Sequence, residues 1–552
     1  MSWAIGWRLR ARRKRWGVLQ LASAVWGVAF CLFALCASHW HYGYERENLD
    51  FARAYVSRTL CRDAAGMLYP RSRAGVLDVL QYGPSALIEF CLRGTAWERD
   101  ASSFLFLFVH QFTAAWIVTT LFVVAWLLYR RPGPALATAL LAAVGTVLWP
   151  YSKFGMENQQ TLWTTAALAA FLYYLNAPRA RRAALFGAAL GCLILTKITG
   201  VLIAAALGIA ALVVLWRERR STGCRVPFAH VAITVIVVAS AFVLLLSTNV
   251  WRYGNPLFRR YSCGDAYDSL LAVPLRVGAL LFSPNKSLFL YSPVLLLTLP
   301  FWRVFFVRFP RLIPLAVAFG LLTVFQLSLN TWVDERWWFS RLHFLIPFLA
   351  LPLGLWWESY HRGSSVFRFV SNWVVIAAVL IQLLGVSVNY TALTFVVHPS
   401  PQLTLENLVW NPQFNHIRFN VYALTSWWEK ERGGRSLPFI VYHHYLPAAP
   451  PPGSPSRFSV FDMRGWDELD FWLLQAWRRP ETEFGRPVAR TLIGVLGVGL
   501  LASALRLMRL MRYARSVGID AAAAERGAVA EDSAKRPWRR KWRVLRTVRG
   551  KA

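Results

Sequence analysis

Residues 280–293 read LLFSPNKSLFLYSP, and the reading of this stretch decides the class of the whole chain. Ser283, Lys286 and Ser292 stand among Phe, Leu and Tyr at the mouth of a hydrophobic segment. A loop of a water-soluble domain would not be so apolar. A plain membrane helix would not hold the lysine, because an ammonium group is costly in hydrocarbon. The composition around it points to a membrane. Of 552 residues 56% are hydrophobic and the mean hydropathy is +0.39, far from an average soluble domain. The 27 Trp, 36 Phe and 19 Tyr fit many helices crossing two membrane–water interfaces.

Lys and Arg outnumber Asp and Glu by 61 to 28, a formal net charge of +33. In a soluble chain this would indicate nucleic acid. Here the basic residues fall in short clusters between apolar segments. That pattern sets topology and meets anionic lipid, so membrane lipids are expected partners and nucleic acid is not.

Apolar runs predict an all-α polytopic membrane protein with about twelve spans, each near the length that crosses the hydrocarbon core. They are Gly17–Ala37, Phe104–Tyr129, Ala135–Pro150, Thr161–Leu175, Ala183–Lys197, Val201–Trp216, Phe228–Ser247, Leu288–Val307, Leu312–Leu329, Phe344–Trp357, Val370–Val388 and Leu492–Met508. The basic clusters at Arg130–Arg131, Arg179–Arg182, Arg217–Arg220, Arg303–Arg311, His361–Arg368 and Arg506–Arg515 then fall on the side of the N-terminus. The positive-inside rule makes that side, with both termini, cytoplasmic. The chain divides into a basic start with the first span (1–37), a first external loop (38–103), a core bundle (104–388), a second external loop (389–490), a last span (491–512) and a basic tail (513–552).

Short cytoplasmic connections carry little, so chemistry is expected on the external face. HWHYGYERENLDFARAY, just after the first span, brings Glu45, Glu47 and Asp50 close together. A carboxylate held at the membrane surface can take a proton from an attacking hydroxyl, although any one of them alone reads as an ordinary solvated charge. WPYSKFGMENQQ contributes Lys153 and Glu157, and LTKITG places Lys197 at the outer end of a helical hairpin. NTWVDERWWFSRLHF contributes Arg336 and Arg341 among tryptophans. The positive-inside rule depletes cations on the outer face. Lys197, Lys286, Arg336 and Arg341 therefore need another cause, and anchoring a lipid phosphate supplies one. The cysteines form no metal pattern. Cys61 and Cys91 both fall in the first external loop, where an oxidising face permits a disulfide.

LLFSPNKSLFLYSP resembles the FSPgkGLfwYSP segment of the GT-C superfamily of membrane glycosyltransferases. That superfamily includes polyprenyl-phosphate-sugar transferases akin to the lipid A aminoarabinose transferase and the protein O-mannosyltransferases. YGPS at Tyr82–Ser85, WPYSKFGMEN, GAALGCLILTKITG and NTWVDERWWFSRLHFLIPFLALPL are similar to further family segments in the same order. The resemblance spans roughly Tyr42 to Leu353. Asn285 and Ser287 replace the glycines of the lysine segment; Asp334–Glu335 and Phe339–Ser340 replace the GG and GP of the arginine segment.

The resemblance implies a GT-C-type bundle in a bacterial inner membrane and an inverting sugar transfer. The donor would be a polyprenyl-phosphate-linked sugar, and the acceptor a glycan, lipid or protein hydroxyl. Asp50, followed by the FARAY that resembles the family's helical start, would be the base, with Glu47 as its alternative. Lys197, Lys286, Arg341 and Arg336 would meet the lipid phosphate, and Tyr82, Lys153 and Glu157 would line the rest of the site. No cofactor beyond the donor lipid is implied, and a divalent metal is left open. The rival reading is a non-enzymatic carrier, flippase or accessory subunit, which needs the cations and not the carboxylate.

Overall fold

A computed structural model of the chain describes residues 2–37, 61–62, 68–69, 76–77, 82–95, 98–153, 156–196, 198–222, 227–254, 270–329, 340–388, 409–412, 415–433, 469–478 and 485–535. Among the described residues the regular structure is helical but for one antiparallel pair of two-residue strands, β1 (Cys61–Arg62) and β2 (Leu68–Tyr69), in which Cys61 faces Tyr69. The chain forms two compact units, residues 1–24 with 501–552 and residues 25–500. The first holds the beginning of helix α1 (Ser2–Leu35) and the distal part of the last helix. The site described below lies in the second.

In that unit α1 is followed by α2 (Gly83–Cys91), α3 (Glu98–Tyr129), α4 (Pro132–Gly145) and α5 (Leu148–Tyr151). Next come α6 (Met156–Asn176), α7 (Ala180–Thr196), α8 (Ile198–Thr222) and α9 (Phe228–Tyr253). Four shorter or broken pieces precede the middle of the bundle: α10 (Val273–Phe282), α11 (Leu288–Tyr291), a 3-10 run over Pro293–Phe301, and α12 (Trp302–Arg308). Then follow α13 (Ile313–Leu327), a 3-10 turn at Ser340–Leu345, α14 (Ile346–Leu349), α15 (Leu353–Tyr360) and α16 (Ser365–Ser387). The chain closes with α17 (His416–Glu431), α18 (Trp472–Arg478) and α19 (Gly485–Lys535).

The chain is a polytopic α-helical membrane protein. Among the described residues eight helices are long and apolar enough to cross a bilayer, against the twelve expected. The difference has local causes. Proline lacks an N–H and clashes within a helix, and Pro293 and Pro300 break the expected span Leu288–Val307 into α11, the 3-10 run and α12. α4 stops at Gly145 after 14 residues and α7 runs only 17. α6 opens with Glu157, Asn158, Gln159 and Gln160, which lower its hydropathy.

Tight packing is carried by small residues. α3 packs on α2, α4 and α6, while α7 packs on α6, α8 and α9. Along α7, Gly187 and Gly191 are four apart and face α9; a Cβ on Gly187 would lie 3.1 Å from the Thr234 backbone, and one on Gly191 2.9 Å from the Ala241 Cβ. Close backbone approach of this kind replaces the hydrophobic drive that lipid does not supply. At the other flank α4 packs on α15 and α16. There the Tyr129 hydroxyl donates to the Leu351 carbonyl at 2.7 Å. Cys91 ends α2 as an exposed free thiol, so the pairing with Cys61 that an oxidising face would permit is not formed.

Candidate functional site

The SPNKSLFLYSP segment forms a tight turn between α10 and α11. Ser283 ends α10, and its Oγ accepts the Lys286 backbone N–H at 2.9 Å. Ser287 caps α11 by accepting the Leu290 N–H at 3.4 Å, and its own hydroxyl donates to the Leu281 carbonyl at 2.6 Å. These hydroxyls satisfy the turn's backbone from within, so so polar a sequence can sit in so apolar a place. Lys286 is only 2% exposed.

Three other segments close around this turn. Ser292 accepts the Val147 N–H at 3.2 Å, which joins it to the WPYSK segment. Gln382 of α16 donates to the Tyr291 carbonyl at 2.6 Å. Asn285 donates to the Asn411 carbonyl at 2.6 Å, and the Asn415 amide donates to the Pro284 carbonyl. The start of α17 is thereby held on the turn. His416 follows Asn415 and is buried beside Lys286; burial first, and the lysine's charge second, hold its pKa well below the usual value near 6.5.

Lys153 lies at the end of the neighbouring WPYSK segment. It is buried, and its Nζ donates to the Asp470 carboxylate at 3.1 Å, to the Asp470 carbonyl at 2.6 Å and to the Val386 carbonyl. The Phe471 ring stands 5.2 Å from the ammonium. Asp470 belongs to the WDELDFW stretch at residues 466–472, and its N–H donates to the Ser387 carbonyl at 2.9 Å. Lys153 therefore fastens the end of the second long loop to α5 and α16. Cys36, at the end of α1, lies beside Lys153 and Trp149.

Tyr151 connects Lys153 to the arginine segment. Its ring stacks on His343 with centroids 4.7 Å apart, and its carbonyl accepts from Asn158 at 2.8 Å. Thr161 donates to the Glu157 carbonyl at 2.8 Å, which uses its single hydrogen. Thr161 Oγ1 also lies 2.8 Å from His343 Nδ1 in a hydrogen bond. His343 Nε2 is buried without a partner among the described residues. Glu157 is buried close by in the first turn of α6, where the helix dipole favours a carboxylate. Arg341, half-buried, opens the 3-10 turn that carries His343.

The structure thus brings together the segments of Lys153, Glu157, Lys286 and Arg341. Tyr82 is buried at the start of α2 with its ring 5.8 Å from that of His110 on α3. Glu45, Glu47, Asp50, Lys197 and Arg336 lie outside the described residues. α7 ends at Thr196 and α8 begins at Ile198. A Cβ on Gly200 would collide with the Leu193 carbonyl oxygen, so glycine lets α8 pack against α7. Among the described residues no group of three or more His, Cys, Asp or Glu could hold a metal ion.

Asp470, Thr161, His343 and His416 are the site residues that sequence reasoning did not single out. RLHF stood within a quoted segment, but nothing local reveals which lysine or threonine a residue hundreds of positions away will meet.

No family model matches the chain, and no curated protein does. Solved structures are similar to it. The crystal structure of ArnT from Cupriavidus metallidurans bound to undecaprenyl phosphate shares 13% identity over 92% of this chain and 79% of its own, with a TM-score of 0.42. The same protein in the apo state shares 13% identity over 91% and 77%, with a TM-score of 0.43.

Proposed function

We propose that the chain is a GT-C-type glycosyltransferase that moves a sugar from a polyprenyl phosphate to an acceptor hydroxyl, with inversion, on the outer face of a bacterial inner membrane. The observation that carries the reading is Lys286, buried in an apolar wall between α10 and α11 and joined through Ser292 to the WPYSK segment. An ionisable group so placed in a membrane protein is a functional site by default.

In this reading Asp50, or Glu47, takes the proton of the acceptor hydroxyl as its oxygen attacks the anomeric carbon. The bond from that carbon to the lipid phosphate breaks, and the phosphate leaves with the bonding electrons. Lys286, Lys197, Arg341 and Arg336 meet the negative charge that develops there, where preorganised cations act most strongly. Glu157 and His343 Nε2 supply hydrogen-bond partners for sugar hydroxyls. Lys153 has a different task. Its ammonium is engaged by Asp470, and it holds the second loop in place rather than touching substrate.

The test is transfer of a labelled sugar from polyprenyl phosphate in membranes carrying wild type, Asp50→Asn or Lys286→Ala. The reading expects transfer in wild type and its loss in both variants while the protein stays folded. No transfer in wild type, with retained polyprenyl-phosphate binding that depends on Lys286, would replace the enzyme by a carrier of lipid-linked sugar.

A further inference from the structure

Away from this site, a cavity of about 500 Å³ opens among α6, α7, α8 and α9. α7 packs on both α8 and α9 and forms its floor. The walls are apolar faces at helical spacing, Ala204, Gly208 and Leu212 on α8 and Thr234, Val238 and Phe242 on α9. From Val201 to Leu215 the α8 wall extends about 21 Å at 1.5 Å per residue. That exceeds one leaflet's share of a hydrocarbon core about 30 Å thick. A long apolar chain fits this shape.

The two ends differ chemically. At one end the Tyr174 hydroxyl and His230 Nδ1 lie 3.1 Å apart in a hydrogen bond, and here α6 and α8 end while α7 and α9 begin. Arginines 179, 181, 182, 217, 219 and 220 gather in these same turns. Arg182 stacks 3.7 Å from the Tyr173 ring, beside Tyr174; Arg220 stacks 3.7 Å from the Trp216 ring, beside Leu215. Glu218, the acid inside the second arginine run, is bound by Arg311 at 2.6 and 3.0 Å, so the rim stays cationic. Pro227 gives α9 no side-chain cap, which leaves the positive end of a long helix at the same rim.

We propose that this cleft binds one acyl chain of an anionic phospholipid, with the phosphate held on the arginine rim and the chain running between α8 and α9. A zwitterionic lipid fits the apolar walls equally well but gains less from the arginines, so the rim selects charge and the cleft selects a chain. Basic pockets between membrane helices recognise anionic headgroups in this way. The site lies among other side chains than those assigned to sugar transfer and does not depend on that activity.

The test uses the full chain in phosphatidylcholine nanodiscs doped with phosphatidylglycerol or phosphatidylcholine carrying the same photoactivatable acyl chain, with labelled peptides mapped by mass spectrometry. The expected result is labelling within 201–215 and 231–242, favoured about tenfold for phosphatidylglycerol. Replacing Arg179, Arg181, Arg219 and Arg220 with Gln should erase that preference while labelling persists. Ala205→Phe with Gly208→Leu should remove the labelling itself. Equal labelling by both probes in wild type would mean ordinary annular lipid and overturn the proposal. So would displacement of the phosphatidylglycerol probe by polyprenyl phosphate, since the cleft would then serve a chain entering from the opposite end. If the filled variant does not fold, the arginine variant alone decides.

Discussion

Lys153 and Lys286 are both buried lysines at the ends of apolar segments, yet their surroundings differ. Lys153 is met by the Asp470 carboxylate and by two carbonyls from separate parts of the chain. Beside Lys286 stands His416, which burial first and the lysine's charge second keep neutral. The first arrangement uses the charge internally to fasten a loop. The second sets a neutral histidine, not a second cation, at that contact. A buried cation by itself therefore does not mark a binding site; what else has been placed next to it decides its role.

The largest effect tests the first half of that contrast. Asp470→Ala leaves an ammonium buried without its carboxylate and should cost about 3–5 kcal/mol of stability. The denaturation midpoint of the purified protein in micelles measures this. Lys153→Met with Asp470→Leu should recover most of the loss, because apolar replacement of a buried pair is nearly neutral. A tolerated Asp470→Ala would break the comparison.

Lys286→Ala should lower sugar transfer about 10²–10³-fold, the usual effect of removing one preorganised charge-stabilising group. Steady-state rates in membranes check this.

Gly200→Ala sharpens the account of the third lysine, Lys197. A Cβ there meets a backbone oxygen that cannot turn aside, so the α7–α8 hairpin must open at a cost of about 1–3 kcal/mol. Hydrogen exchange in residues 190–204 should rise in the variant.

The smallest effect concerns pH. His416 has a folded pKa below its unfolded value near 6.5, so the unfolded chain binds more protons between the two values. Stability is therefore complete above about pH 6.5 and declines as pH falls below it. His416→Gln should flatten that decline, as midpoints measured across the window would reveal.

Much of this molecule was legible in the sequence. The apolar runs and basic clusters identify a polytopic helical chain, because lipid forces the backbone into long internally bonded helices. Pro293 and Pro300 break the expected span Leu288–Val307, a hydrophobic run that composition alone reads as continuous. For the site, Lys286 and Arg341 were visible as exceptions to the positive-inside rule and Lys153 as a lysine beside an apolar segment, and the structure joins their segments. Their division of labour was not visible. Asp470 lies 317 positions from Lys153, and the Thr161–His343 bond spans 182, separations that no local pattern encodes.

The comparison comes down to whether a lipid phosphate depends on one lysine and ignores the other. Binding of polyprenyl phosphate should be titrated against wild type, Lys286→Met, and the Lys153→Met/Asp470→Leu double variant. The account predicts that Lys286→Met loses affinity while the double variant binds as wild type does. Loss in the double variant with Lys286→Met unaffected would contradict it and move the phosphate site to Lys153.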